Sequence, residues 1–140
     1  MAETAAPPRR RRLRRQPMTR VDTAWLRMER PTNPMMITAV LVFTERMPVD
    51  ALRALVDERF LAYARFRQKA VDATTGATWI EDAHFDLDWH VRRAALPGRI
   101  AGSSALEEKR ALEAFTGELA STPLDPGKPR WQFHLVEDYA

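Results

Sequence analysis

The chain contains no cysteine among its 140 residues. That absence removes disulfides, thiolate catalysis and cysteine-based zinc sites together. His84, His90 and His134 are then the only imidazoles for metal or base chemistry, and no two of them are adjacent. Long apolar runs are also missing, the longest being Met35 to Phe43, far short of the ~20 residues that span a bilayer. The N-terminus lacks the succession of cationic, apolar and small residues that marks a secretory signal, so the expected location is the cytoplasm. Neither a metal nor a resident cofactor is expected.

What is present suits one domain. The apolar fraction of 45%, with four Trp and six Phe, is ample for a single core. The formal charge of +3 conceals an asymmetry: residues 1–20 carry seven Arg against Glu3 alone, a local +6, so the other 120 residues sum to −3. The segment APPRRRRLRRQP has flanking prolines and no apolar periodicity, which predicts a solvated, disordered arm over 1–20. Two readings of the arm are open. It is either a functionless extension, with Met18 as the start of the patterned sequence, or a contact for an anionic membrane surface. The acidic remainder argues against a specific nucleic-acid surface.

From residue 21 onward strands and helices interleave. Asp22 is placed to cap a short helix over Val21–Met28, which Pro31 and Pro34 end. The run from Met35 to Phe43 reads as a strand buried on both faces. Asp50 is the expected cap of a helix with Leu52, Leu55, Val56, Phe60 and Tyr63 on one stripe. A hairpin turns at Thr74-Thr75-Gly76. The segment FDLDWHVRR predicts a strand with Leu87, Trp89 and Val91 inward and Asp88, His90 and Arg92 in water. A loop over 97–102 leads to a capping box of Ser104 and Glu107, opening a helix that turns Leu112, Phe115 and Leu119 inward. A final strand runs from Trp131. The fold class is therefore α+β, a mixed sheet with helices packed on one side.

Asp88 and His90 share a predicted strand face, the spacing by which an Asp orients a His base. No nucleophile, glycine-rich anion loop or third ligand lies near them, and a solvated polar face is the plainer reading. Met18, Met28, Met35 and Met36 fit either an acyl pocket or core filling, and the four Trp fall on separate elements. From residues alone, no catalytic group is assigned.

Five stretches in order, VDTAWLRMERPTNPMMI, ALRALVDERF, RFRQK, FDLDWHVRR and STPLDPGKPRWQFHLVEDYA, resemble the N-terminal part of the bacterial wax ester synthase/diacylglycerol acyltransferase family. Pro129 and Trp131 match that family's PLW motif, with Arg130 where Leu is usual. The resemblance implies the N-terminal half of a chloramphenicol-acetyltransferase-like fold over 21–140, and transfer of a fatty acyl group from acyl-CoA, as co-substrate, to diacylglycerol or a long-chain alcohol. It also implies a location at a membrane or lipid-droplet surface. The family's general base is the second His of an HHxxxDG motif, which this sequence does not contain. The expectation is thus an N-terminal portion, inactive alone, that needs a catalytic half from elsewhere. Alternatives are one half of a split acyltransferase and a small membrane-surface module using the Arg arm.

Overall fold

Thr19 starts the first helix. Its hydroxyl accepts the Asp22 N–H at 3.0 Å, so α1 runs Arg20–Met28 with Asp22 inside the first turn, where its charge favours the helix dipole. Asp22 is therefore not the cap, because a threonine three residues earlier already supplies the acceptor. The computed structural model describes residues 14–96, 102–137 and 139. The expected loop over 97–102 lies outside them except for Gly102, as do residues 1–13 of the arm.

The expected arm ends sooner than residue 20. Arg15–Pro17 forms β1 and pairs antiparallel with Thr78–Glu81, in the register Gln16 opposite Trp79. An open strand edge draws in any chain that can pair with it, and Pro17, which lacks an N–H, is tolerated because β1 is itself an edge.

The helix α2, Val49–Arg59, starts after Pro48 with no side-chain cap. Asp50 sits in its first turn and holds Arg53 at 3.2 Å instead. A 3-10 turn, Ala64–Arg67, leads into β2, Gln68–Val71, and then β3, Thr78–Glu81. The hairpin turns where expected, with Gly76 at φ +127°, a conformation that costs glycine little. The first sheet is antiparallel in the order β1-β3-β2. Two charged hydrogen bonds from Arg27 to Asp72, at 2.9 and 3.0 Å, fasten α1 to the end of β2.

The segment after β3 departs from the predicted strand. The Asp86 carboxylate accepts the Asp88 N–H at 3.0 Å, and this local bond favours a helical turn over extended chain. A one-turn helix α3, Leu87–His90, results, followed by β4, Val91–Ala94. The turn breaks the alternation. His90 and Val91 are both fully buried, while Asp88 is exposed.

The capping box forms as expected. Ser104 Oγ accepts the Glu107 N–H, and Glu107 takes the Ser104 N–H at 2.7 Å. The resulting α4, Ala105–Ser121, crosses from β4 to β5, Phe133–Val136, and the two strands pair in parallel with Val91 opposite Phe133. A helical crossover is the ordinary link between parallel strands. The class is α+β, but the described strands form a three-stranded and a two-stranded sheet rather than one mixed sheet. Val49, Val56 and Val91 form the core, with Leu52, Phe60, Leu87, Trp131, Phe133 and Leu135 packed on it.

Met35 to Phe43 forms no strand. Ile37 is 98% exposed, and Val40, Leu41, Val42 and Phe43 are exposed too. Its β-branched composition reports a preference for pleated, packed surroundings, but no described strand pairs with it. None of the described helices is long and apolar enough to cross a membrane.

Candidate functional site

The deepest polar group is His90, at 0% exposure. Its ring stacks on Trp131, 4.2 Å between centroids and 20° from parallel, with Phe85 nearly parallel at 5.0 Å and Trp89 edge-on at 4.8 Å, while Phe85 and Trp131 meet each other at 6.3 Å. His90 Nδ1 lies 2.7 Å from the Trp131 carbonyl oxygen. A carbonyl only accepts, so Nδ1 carries the hydrogen and the ring is the neutral Nδ1–H tautomer. Nε2 is buried without a hydrogen-bond partner among the described residues. Burial is the main cause that lowers the His90 pKa, and the nearby Lys128 charge adds to it, against the raising effect of the Trp131 bond.

Asp88 does not orient this ring. Its carboxylate forms an ion pair with Arg53, Oδ1 lying 2.9 Å from Nε, so the Asp88–His90 pair expected on one wet face is not formed. His84 and His134 lie elsewhere. His134 contacts Gln132 and faces the edge of Phe115, and burial together with Arg92 lowers its pKa.

Trp131 ties distant parts of the chain together. Its indole N–H donates to the Phe66 carbonyl at 2.8 Å, and its ring meets Phe66 and Phe133, each at 5.7 Å. Phe60 packs edge-on against Phe66 and Phe133 in turn. Pro129, the other motif-matching residue, is fully buried. Arg130, where the motif usually has Leu, forms a half-buried ion pair with Glu29 at the C-terminal end of α1. The substitution thus adds a charge that the structure pairs.

Beside this aromatic cluster lies an open trough of about 1250 Å³. Residues 35–47 form one wall, Leu52 and Leu55 of α2 and Leu112, Phe115 and Leu119 of α4 supply others, and β5 closes the side. Met35 and Met36 line it. Met18 borders a separate small cleft beside Gly76, and Met28 is exposed. The four-methionine pocket therefore does not assemble. Phe85, a further ring of the His90 cluster, escaped sequence reasoning, because its packing depends on the α3 turn.

The trough can accommodate an apolar chain, and no described residue stands in it with the geometry of a base held by an acid. Among the described residues no group of acids and histidines is arranged to hold a metal.

The sequence that carries these elements is that of a known domain. Residues 18–139 match the model of the wax ester synthase/diacylglycerol acyltransferase catalytic domain. A Mycobacterium tuberculosis protein named "Probable diacyglycerol O-acyltransferase tgs3" is 32% identical over 122 residues, covering 83% of this chain and 42% of its own. Two further M. tuberculosis proteins with the same activity in their names, Rv2285 and Rv1760, are 36% and 29% identical over 84% of this chain, but over 26% and 24% of theirs. The chain thus spans less than half the length of these curated relatives. No solved structure matches. With nearly all the described elements inside the matched span, the chain belongs to the wax ester synthase/diacylglycerol acyltransferase family.

Proposed function

We propose that this chain builds one wall of the acyl site of an O-acyltransferase that moves a fatty acyl group from acyl-CoA to diacylglycerol or a long-chain alcohol. The observation that carries the reading is the open apolar trough whose outer wall, residues 35–43, is left unpaired and exposed. Such a surface is half of a tunnel, as in a two-domain chloramphenicol-acetyltransferase-like arrangement, and it fits a long apolar chain covered by a second layer.

The reaction needs a base. A hydroxyl becomes nucleophilic only as its proton leaves, and an imidazole with a pKa near neutrality is suited to accept it. His90 is sealed among rings with Nδ1 spent on Trp131, so it holds the scaffold instead. The base and the opposite wall come from outside these 140 residues, either along a longer chain or from a complementing polypeptide. Acyl-CoA is a co-substrate, and the transfer uses no resident cofactor.

The test is a chimaera in which residues 18–139 replace the matched region of the tgs3 relative. Release of free coenzyme A from palmitoyl-CoA that depends on added diacylglycerol is expected from the chimaera and not from this chain alone. A folded but inactive chimaera, beside an active parent, would overturn the proposal.

A membrane-surface location is the second reading. On α1, Val21, Trp25 and Met28 recur at helical spacing and are all exposed, with Arg20 on the same helix and Arg15 on β1. An apolar stripe with arginines suits the boundary of an anionic bilayer. Cosedimentation with phosphatidylglycerol vesicles is expected, and its persistence in Trp25→Ser would refute the assignment to this stripe.

A further inference from the structure

At the edge of the trough, two cations converge on one indole. The Arg92 guanidinium carbon lies 4.9 Å from the centre of the Trp89 ring, and Lys128 Nζ lies 5.3 Å from the same centre. Both are within the reach of a cation–π attraction. Trp89 and Arg92 belong to the trough wall.

Neither cation meets a carboxylate among the described residues. The neighbouring acids are engaged elsewhere: Asp88 with Arg53, Glu137 with Arg93 at 2.6 Å, and Asp82 toward Lys69 at 3.9 Å. The Asp86 carboxylate accepts the Asp88 N–H, and that of Asp125 accepts the Gly127 N–H at 2.8 Å. Lys128 contributes to lowering the His90 pKa, against the raising charges of Asp82 and Asp86, and Arg92 to lowering that of His134. Arg92 uses Nε to donate to the Trp89 carbonyl at 2.8 Å. Its two terminal nitrogens make no hydrogen bond to a described residue, and this is the forked end that suits phosphate oxygens. Lys128 adds a point charge at the same ring.

We propose that Trp89, Arg92 and Lys128 form a subsite for the phosphorylated head of an acyl thioester, a fatty acyl-CoA, whose chain lies in the adjoining trough. The inference rests on the acyltransferase reading for the identity of the ligand. The geometry itself points to a polyanionic head joined to an apolar tail. A fatty acid carries one charge only, whereas the head of coenzyme A carries several phosphate oxygens to divide between the two cations.

The test is equilibrium dialysis of the full chain against coenzyme A, with cis-parinaric acid as a separate fluorescent probe of the trough. Coenzyme A is expected to bind and to weaken with salt. Lys128→Gln and Arg92→Gln should each weaken it about tenfold, the scale of one hydrogen bond to a charged group. Lys128→Arg should retain binding, and cis-parinaric acid should bind Lys128→Gln within about twofold of the parent. Arg92→Gln also removes the bond to the Trp89 carbonyl, so its thermal unfolding is compared with that of Lys128→Gln, which makes no such bond.

Absence of coenzyme A binding, or equal binding by the parent and a folded Lys128→Gln, overturns the subsite. So does preference for lysophosphatidic acid over palmitoyl-CoA, which would assign a lipid headgroup. An active chimaera whose KM for palmitoyl-CoA ignores Lys128→Gln removes the subsite and leaves the acyltransferase reading. Lys128-dependent binding of coenzyme A beside an inactive chimaera does the reverse.

Discussion

Replacing Trp131 by Ala removes a residue that ties the turn before β2 to α3 and β5. The indole packs on His90, Phe66 and Phe133 and donates to the Phe66 carbonyl. Truncating a packed aromatic costs about 3–5 kcal/mol. Trp131 is only partly buried, which pulls the packing loss toward the lower end, while the Phe66 carbonyl, left without its donor, adds part of the ~1–3 kcal/mol for an unsatisfied group. A total of about 4 kcal/mol takes a large share of the ~5–15 kcal/mol that holds a domain together. In urea, a slope of about 2 kcal/mol/M converts that loss into a midpoint lower by about 2 M. Trp131→Phe keeps a ring but loses the donor, and should fall by about half as much. Adding His90→Ala to Trp131→Ala should cost less than the sum of the two single changes, with coupling of about 1 kcal/mol or more for stacked partners. The assay is equilibrium unfolding followed by far-UV circular dichroism, which does not depend on the deleted fluorophore. A loss below about 1 kcal/mol for Trp131→Ala, or strict additivity with His90→Ala, would refute the view that this stack organises the fold.

Two further outcomes follow from charge. His90 and His134 both have folded pKa values lowered from the ordinary 6.5, so the unfolded chain takes up protons first. Stability is then full above about pH 6.5 and falls as the pH drops through that value toward the folded pKa values. Unfolding across pH 7.5 to 5 should show this slope, reduced in His90→Asn, and an unchanged slope in that variant would contradict the buried neutral ring. For Arg130 and Glu29, whose side chains are 26% and 20% exposed, Arg130→Leu alone should cost about 2 kcal/mol by leaving Glu29 unpaired. The double change with Glu29→Leu should recover most of that loss. Thermal melts of the single and double variants decide it, and a double variant no better than Arg130→Leu would refute the pairing.

Local chemistry was legible in the sequence where the signal sat within a few residues. The Ser104 and Glu107 capping box and the Gly76 hairpin formed as read, since each depends on bonds across one turn. Asp86 carried an equally local signal, but the alternation of Leu87, Trp89 and Val91 masked it. His90 was in consequence placed in water rather than in the stack. Apolar composition misled over residues 35–43, because strand propensity says what a segment prefers when paired and nothing about whether it pairs. The convergence of Arg92 and Lys128 on Trp89 joins α3, β4 and the connection after α4, and no sequence spacing announces it. The family resemblance, by contrast, rested on ordered short motifs and coincides with the matched span of residues 18–139.

The central claim is that this chain lines the acyl chain's path. A palmitoyl-CoA analogue carrying a diazirine near the end of its acyl chain, photolysed on the active chimaera and mapped by peptide mass spectrometry, tests that claim most directly. The account expects labels within residues 35–47 and on the inward side of α4 at Leu112, Phe115 or Leu119. Labels confined to the relative's portion, with turnover intact, would contradict it.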